Sequence, residues 1–337
     1  MQDRQTLLEI KDLVTSFASD GRKDRAVAVN GVSLSIPRGK TVGVVGESGC
    51  GKSVTALSVM GLLADNGRVE SGQALFGGQD LLKLSDREMR KIRGNRISMI
   101  FQEPMTSLNP VIPVGRQIAE ALRLHSGMDR AEAKRRSIEA LEKVGIPEPA
   151  RRYSAYPHQL SGGLRQRVMI GMAMALAPDL LIADEPTTAL DVSIEAQILR
   201  LMRGLQQDSG TAIMMITHNL GVVAEICDTV YVMYAGEVVE HADVFDLFRA
   251  AAHPYTRGLM ASLPRMKAKG ERLYNIRGTV PNLRAMPAGC RFAPRCDCAD
   301  GRCMAEKPPL TDIGGGHLCR CFRPFGPDGR QMGGDHA

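Results

Sequence analysis

"TVGVVGESGCGKS", residues 41 to 53, is the most informative stretch of this 337-residue chain. Its first six residues form a β-branched, valine-rich run that ends in glycine, the pattern of a buried strand. The last eight, "GESGCGKS" (46–53), fit G-x-x-x-x-G-K-[ST] with a strand before them and a helical pattern after them, the context that motif requires. Gly46, Gly49 and Gly51 let the backbone turn so that its N–H groups converge on phosphate oxygens. The helix starting near Lys52 adds its positive end. Lys52 is placed to reach the β- and γ-phosphates of a nucleotide, and Ser53 to offer its hydroxyl to Mg²⁺. The phosphate-binding set is therefore Gly46, Glu47, Ser48, Gly49, Cys50, Gly51, Lys52, Ser53 and Val54.

Three further segments have the same buried-strand character: "DLLIADEP" (179–186), "TAIMMITH" (211–218) and "DTVYVMYAG" (228–236). Helical patterns over 162–177 and 192–208 alternate with them, which predicts a parallel α/β sheet. Open sheets of this kind bind ligands at the carboxyl ends of their strands. Asp184 falls there, as a candidate Mg²⁺ ligand. Glu185 follows it, and a second carboxylate beside a metal-bound triphosphate is unfavourable unless it has a task. The task assigned is to orient and polarise the attacking water. His218 and Gln102 also follow apolar strands, the latter after "ISMIF" (97–101). Residues 103–170 lack such strands and read as a helical insertion.

At the end of that insertion stands "LSGGLRQR" (160–167). Ser161 reads as an N-cap, and with Gly162 and Gly163 it opens a helix whose free N–H groups form a second anion site. Two phosphate-suited loops in one chain can serve one nucleotide if two chains face each other. The expectation is a nucleotide-sandwich dimer in which the second loop of one chain closes over the nucleotide held by the other.

Composition bounds the setting. The N-terminus carries Asp3, Arg4, Glu9 and Lys11 and has no apolar core, unlike a signal peptide. The apolar run "VMIGMAMALA" (168–177) is too short to span a bilayer. The expectation is a cytosolic chain, or one attached to a membrane only through partners. From residue 265 onward there are 13 Lys and Arg against 7 Asp and Glu, which accounts for the whole net charge of +6. Six of the eight cysteines also lie there, at 290, 296, 298, 303, 319 and 321. A basic tail suits nucleic acid or anionic lipid, but a group of thiolates would attract the same residues.

With these residues in hand, the chain resembles the ATP-binding subunits of ABC transporters. "GESGCGKS" looks like Walker A, Gln102 like the Q-loop, "LSGGL" like the signature motif with Leu164 at its fifth position, "LLIADE" (180–185) like Walker B, "TALD" (188–191) with Asp191 like the D-loop, and His218 like the switch histidine. Phe17 is the candidate aromatic residue against adenine. "FQEPMTSLNP" (101–110), "HPYTRGLMASLP" (253–264) and "GTVPNLRAMPAGCRFAPRC" (278–296) resemble the D-type ATPases of oligopeptide and dipeptide importers. The resemblance implies a P-loop NTPase (RecA-like) parallel-sheet core with an antiparallel β N-terminal part. It implies a nucleotide-binding domain over 1–264, with a helical subdomain at about 103–170, and a Cys-rich extension over 265–337. It also implies two transmembrane permease subunits, a second ATP-binding subunit (a paralogue, with an identical chain as the alternative) and a periplasmic or lipid-anchored substrate-binding protein. The location implied is the cytoplasmic face of the inner membrane. Related systems carry nickel, glutathione or other solutes.

The tail is the remaining question. Cys290, Cys296, Cys303 and Cys321 are spaced unlike the usual paired zinc pattern or the short ferredoxin run, and scattered buried thiols are an alternative. Resemblance to the peptide-importer ATPases implies a [4Fe–4S] cluster on these four, with Zn²⁺ as the other possibility and Cys298 and Cys319 as additions. A soluble ABC ATPase acting on nucleic acid is the rival reading. The tail lacks basic–aromatic interleaving, and the chain has neither a second ATP cassette nor a long coiled coil. No nucleic-acid partner is expected.

Overall fold

The computed structural model describes residues 6–18, 25–102, 107–188, 190–262 and 274–331. Among them the strands run in chain order β1 (Thr6–Ala18), β2 (Arg25–Pro37), β3 (Thr41–Val45), β4 (Gly67–Phe76), β5 (Gln79–Asp80), β6 (Ile97–Ile100), β7 (Leu180–Asp184), β8 (Ala212–Thr217), β9 (Thr229–Tyr234), β10 (Glu237–Asp243), β11 (Thr311–Asp312) and β12 (Leu318–Cys319). The described residues divide into two compact units: one drawn from Met1–Leu8, Ile36–Thr41 and Phe76–Ile216, the other from Glu9–Ser35, Val42–Leu75 and Thr217–Ala337.

In the first unit β6, β7 and β8 are parallel neighbours, with Ile100 opposite Ala183 and Asp184 opposite Ile216. Every residue of β7 and β8 is buried, as expected of parallel strands covered on both faces. The expected insertion is helical. Val114–Ser126 buries Val114, Ile118 and Leu122 on one face, at helical spacing. Arg130–Lys143 starts at Asp129, whose carboxylate accepts the Glu132 N–H at 2.9 Å. Gly162–Met174 follows Ser161, and Val192–Ser209 follows Asp191.

In the second unit β1 lies between β2 and β4. The Ala18 N–H donates to the carbonyl of Asn66, so the end of β1 meets the start of β4 and the two run antiparallel. The fully buried β3 pairs in parallel with β9, Val45 lying opposite Val232. β9 and β10 are antiparallel, and beyond β10 the cysteine-rich tail adds β12 and then β11. Glu103–Thr106 of the Q-loop segment, Ala189 of the D-loop and the expected domain boundary at 264–265 lie outside the described residues.

Candidate nucleotide site

The phosphate loop is built where β3 ends. Gly46 has φ 155°, and a Cβ there would run into the Met233 carbonyl on the adjoining strand β9. Gly51 has φ 101°, and its Cβ would lie 2.7 Å from the Ala28 carbonyl. Only glycine tolerates either combination. Cys50 is buried while Ser48 and Gly49 are exposed. Gly51 is the N-cap of the helix Lys52–Met60, so that helix directs its first N–H groups toward the loop. The Lys52 ammonium donates to the Gly46 carbonyl at 2.8 Å and the Glu47 carbonyl at 3.1 Å. It is 5% exposed, folded along the loop that it would leave to meet a phosphate. Ser53 and Val54 are half-buried in the first turn. Phe17 is half-buried on β1 with its ring edge against Gly67. His218 is exposed just after β8, one residue before Asn219, which caps the helix Leu220–Ile226.

In the other unit the parallel register of β6 and β7 carries Gln102 and the Asp184–Glu185 pair to the same strand ends. Asp184 is 4% exposed. Glu185 leaves β7 with φ 47°, an uncommon left-handed conformation for a non-glycine residue. Its backbone N–H still donates to the Ile216 carbonyl of β8 at 2.8 Å. Its Oε2 accepts from Gln102 Nε2 at 3.1 Å and from the Thr188 hydroxyl at 2.8 Å. Thr188 stands inside the quoted "TALD", yet its contact with Glu185 was not read from the sequence; a hydroxyl three residues past a carboxylate, in a turn, was the available signal.

The Ser161 hydroxyl accepts the Leu164 N–H at 3.4 Å, in the expected N-cap role. Ser161 and Gly162 are exposed, and a Cβ on Gly162 would meet open space. Gly163 packs against Ile194. Asp191 is exposed and makes no side-chain cap.

Two family models match this chain: the ABC transporter model over residues 29–188, and the oligopeptide/dipeptide transporter C-terminal region over 239–303. A probable peptide ABC transporter ATP-binding protein of Sinorhizobium fredii is 54% identical over 319 residues, covering 94% of this chain and 95% of that protein. The chain belongs to the ABC transporter ATP-binding proteins. The oligopeptide transport ATP-binding protein OppD of Escherichia coli is 50% identical, covering 96% of this chain and 95% of that one. Among solved structures, the ATP-binding cassette MJ0796 in a post-hydrolysis dimer with ADP and Pi matches with a TM-score of 0.63 and 27% identity. That match covers 70% of this chain and 98% of the cassette. As an ABC protein the chain is a P-loop ATPase, and ATP is the ligand its loop fits. Among the described residues no helix is long and apolar enough to cross a membrane.

The metal expectation for the tail is overturned. Among the described residues no group of three or more His, Cys, Asp or Glu side chains is arranged to hold a metal ion. The [4Fe–4S] cluster on Cys290, Cys296, Cys303 and Cys321, and Zn²⁺ in its place, are therefore withdrawn. The four thiols are part-buried. Desolvation pushes the Cys296 thiol up to about 11 and that of Cys321 up to about 12, and raises those of Cys290 and Cys303. Cys319 is buried in β12, and Cys298 lines a small cavity together with Cys290, Cys296, Cys303 and Cys321. Four of the tail arginines pair with carboxylates of the protein itself: Arg291 with Glu237, Arg295 with Glu47, Arg302 with Glu306 and Arg323 with Asp300.

Proposed function

We propose that this chain is the ATP-hydrolysing subunit of an importer for di- and oligopeptides. The observation that carries the reading is the presence, in one chain, of the ABC transporter match and the oligopeptide/dipeptide C-terminal match. Relatives of nearly full coverage bear peptide-import names. In this reading the chain divides into an ATP-binding domain over 1–264 and an extension over 265–337. It sits at the cytoplasmic face of the inner membrane beneath two permease subunits, beside a second, paralogous ATP-binding subunit, and is served by a substrate-binding protein.

The residue roles belong to the same proposal. Lys52 and the N–H groups of residues 46–54 hold the ATP phosphates, and Phe17 lies against adenine. Ser53, Gln102 and Asp184 offer a hydroxyl, an amide oxygen and a carboxylate, the hard oxygen donors that Mg²⁺ takes. The bound Mg²⁺ would supply neutralisation of phosphate charge. Glu185 accepts the proton of the attacking water, and His218 orients the γ-phosphate. The Gln102 and Thr188 hydrogen bonds to one Glu185 oxygen hold that carboxylate in place. Ser161, Gly163 and Asp191 act on the nucleotide of the facing subunit. Most of the rate gain in such a site comes from positioning and charge stabilisation.

Purification of the membrane complex containing this chain, with identification of its subunits, tests the assignment. Recovery with two permeases and a second ATPase is expected; recovery with nucleic acid and no permease would refute it.

A further inference from the structure

One contact joins the C-terminal tail to the phosphate loop within a single compact unit. Arg295, in the one-turn segment Ala293–Arg295, has a side chain only 5% exposed. Its Nη1 donates to both carboxylate oxygens of Glu47, at 2.9 and 3.2 Å. Its Nε donates to the Arg277 carbonyl at 2.9 Å. The Tyr234 hydroxyl lies 3.4 Å from Nη1, with the Tyr234 ring packed edge-on to Phe292. A second hold acts on the same loop residue: the Glu47 backbone N–H donates to the Tyr255 hydroxyl at 2.9 Å. Tyr255 is fully buried in the helix Pro254–Ala261, against Tyr234 and Phe292.

Glu47 is an awkward residue for its position. It follows Gly46 in a loop that receives a triphosphate, and an unpaired carboxylate there would oppose the incoming anion. The Arg295 side chain is 5% exposed and that of Glu47 29%, so solvent screens the pair only in part, and losing Arg295 leaves the carboxylate without its cation. We propose that Arg295 is a positioning residue for nucleotide binding. It neutralises Glu47 and braces the phosphate loop, so that the tail sets the affinity of the loop for ATP. The inference rests on the reading of residues 46–53 as the ATP site.

The test is ATP affinity of the full-length chain, followed with a fluorescent ATP analogue at fixed ionic strength. The panel is wild type, Lys52→Ala, Arg295→Gln, Arg295→Lys, Glu47→Gln and the double variant Glu47→Gln/Arg295→Gln. Arg295→Gln is expected to raise Kd about tenfold, equivalent to about 1.4 kcal/mol, and Arg295→Lys, which keeps the charge but loses the planar fork, to raise it less. The decisive comparison is the double variant. If Arg295 acts by neutralising Glu47, then Glu47→Gln/Arg295→Gln binds within about threefold of Glu47→Gln alone, a rescue that a packing role would not produce. Arg295→Gln binding as wild type, or a double variant as weak as Arg295→Gln, would overturn the brace alone. Wild type binding no better than Lys52→Ala would overturn the ATP-site reading and the brace with it.

Discussion

The side-chain amide of Gln102 donates to a carboxylate oxygen of Glu185 at 3.1 Å, joining the ends of two strands whose residues lie 83 positions apart. The parallel register of β6 and β7 makes this meeting possible, because Ile100 lies opposite Ala183. A hydrogen-bonded carboxylate on a turn residue with φ 47° is held in one place, as a group that must aim a water requires. Glu185→Gln keeps the shape but removes the basic oxygen. ATP binding is expected to persist, and turnover in the assembled transporter to fall by at least about 10²-fold, the scale of losing a positioned general base. A single-turnover hydrolysis assay checks it; near-normal turnover would remove Glu185 from the chemistry.

Thr188→Val removes the other donor to Glu185 while keeping the size of the side chain. The expected result is a loss of about tenfold or less in kcat with ATP affinity unchanged, since one neutral hydrogen bond contributes roughly 0.5–1.5 kcal/mol. A matched change in KM and kcat would argue against a role confined to Glu185.

The exposed Ser161–Gly162 start of the helix Gly162–Met174 has open space at Gly162. Ser161→Arg should therefore leave folding and ATP binding by the single chain nearly intact, because Lys52 and its loop do that work. In the assembled complex hydrolysis should fall sharply, as a long side chain fills the second phosphate cradle. Single-chain binding lost as severely as in Lys52→Ala would contradict the two-chain arrangement.

Much of this was legible in the sequence, for identifiable reasons. β3, β7 and β8 are short, mostly apolar runs followed by Gly46, Glu185 and His218, so each run and the residue that ends it could be read together. The Arg295–Glu47 pair was not legible, because nothing local links positions 248 apart. Nor was β12, since two residues carry no periodicity. The cysteine ligand set came from family resemblance and not from spacing, which fits neither the paired zinc pattern nor the ferredoxin run and is silent on whether thiols are arranged around a metal.

His253 gives a pH-dependent prediction. It is 1% exposed, and its Nδ1 accepts the Tyr255 N–H at 3.1 Å, which requires the neutral ring. Burial lowers its pKa to about 4 from an ordinary 6.5. The unfolded chain therefore binds the proton first, and stability falls as pH drops from about 6.5 to 4, by at most about 3 kcal/mol. His253→Asn, which can still cap the helix, should flatten the fall of Tm across that window. An unchanged slope would show that other groups carry it.

The most direct test of the central claim is ATP hydrolysis by the complete complex in liposomes, with and without its binding protein loaded with a short peptide. The predicted result is hydrolysis that rises with peptide, accompanies peptide accumulation and disappears in Lys52→Ala. Hydrolysis indifferent to peptide but raised by another solute would contradict the peptide assignment, and hydrolysis that survives Lys52→Ala would contradict the site itself.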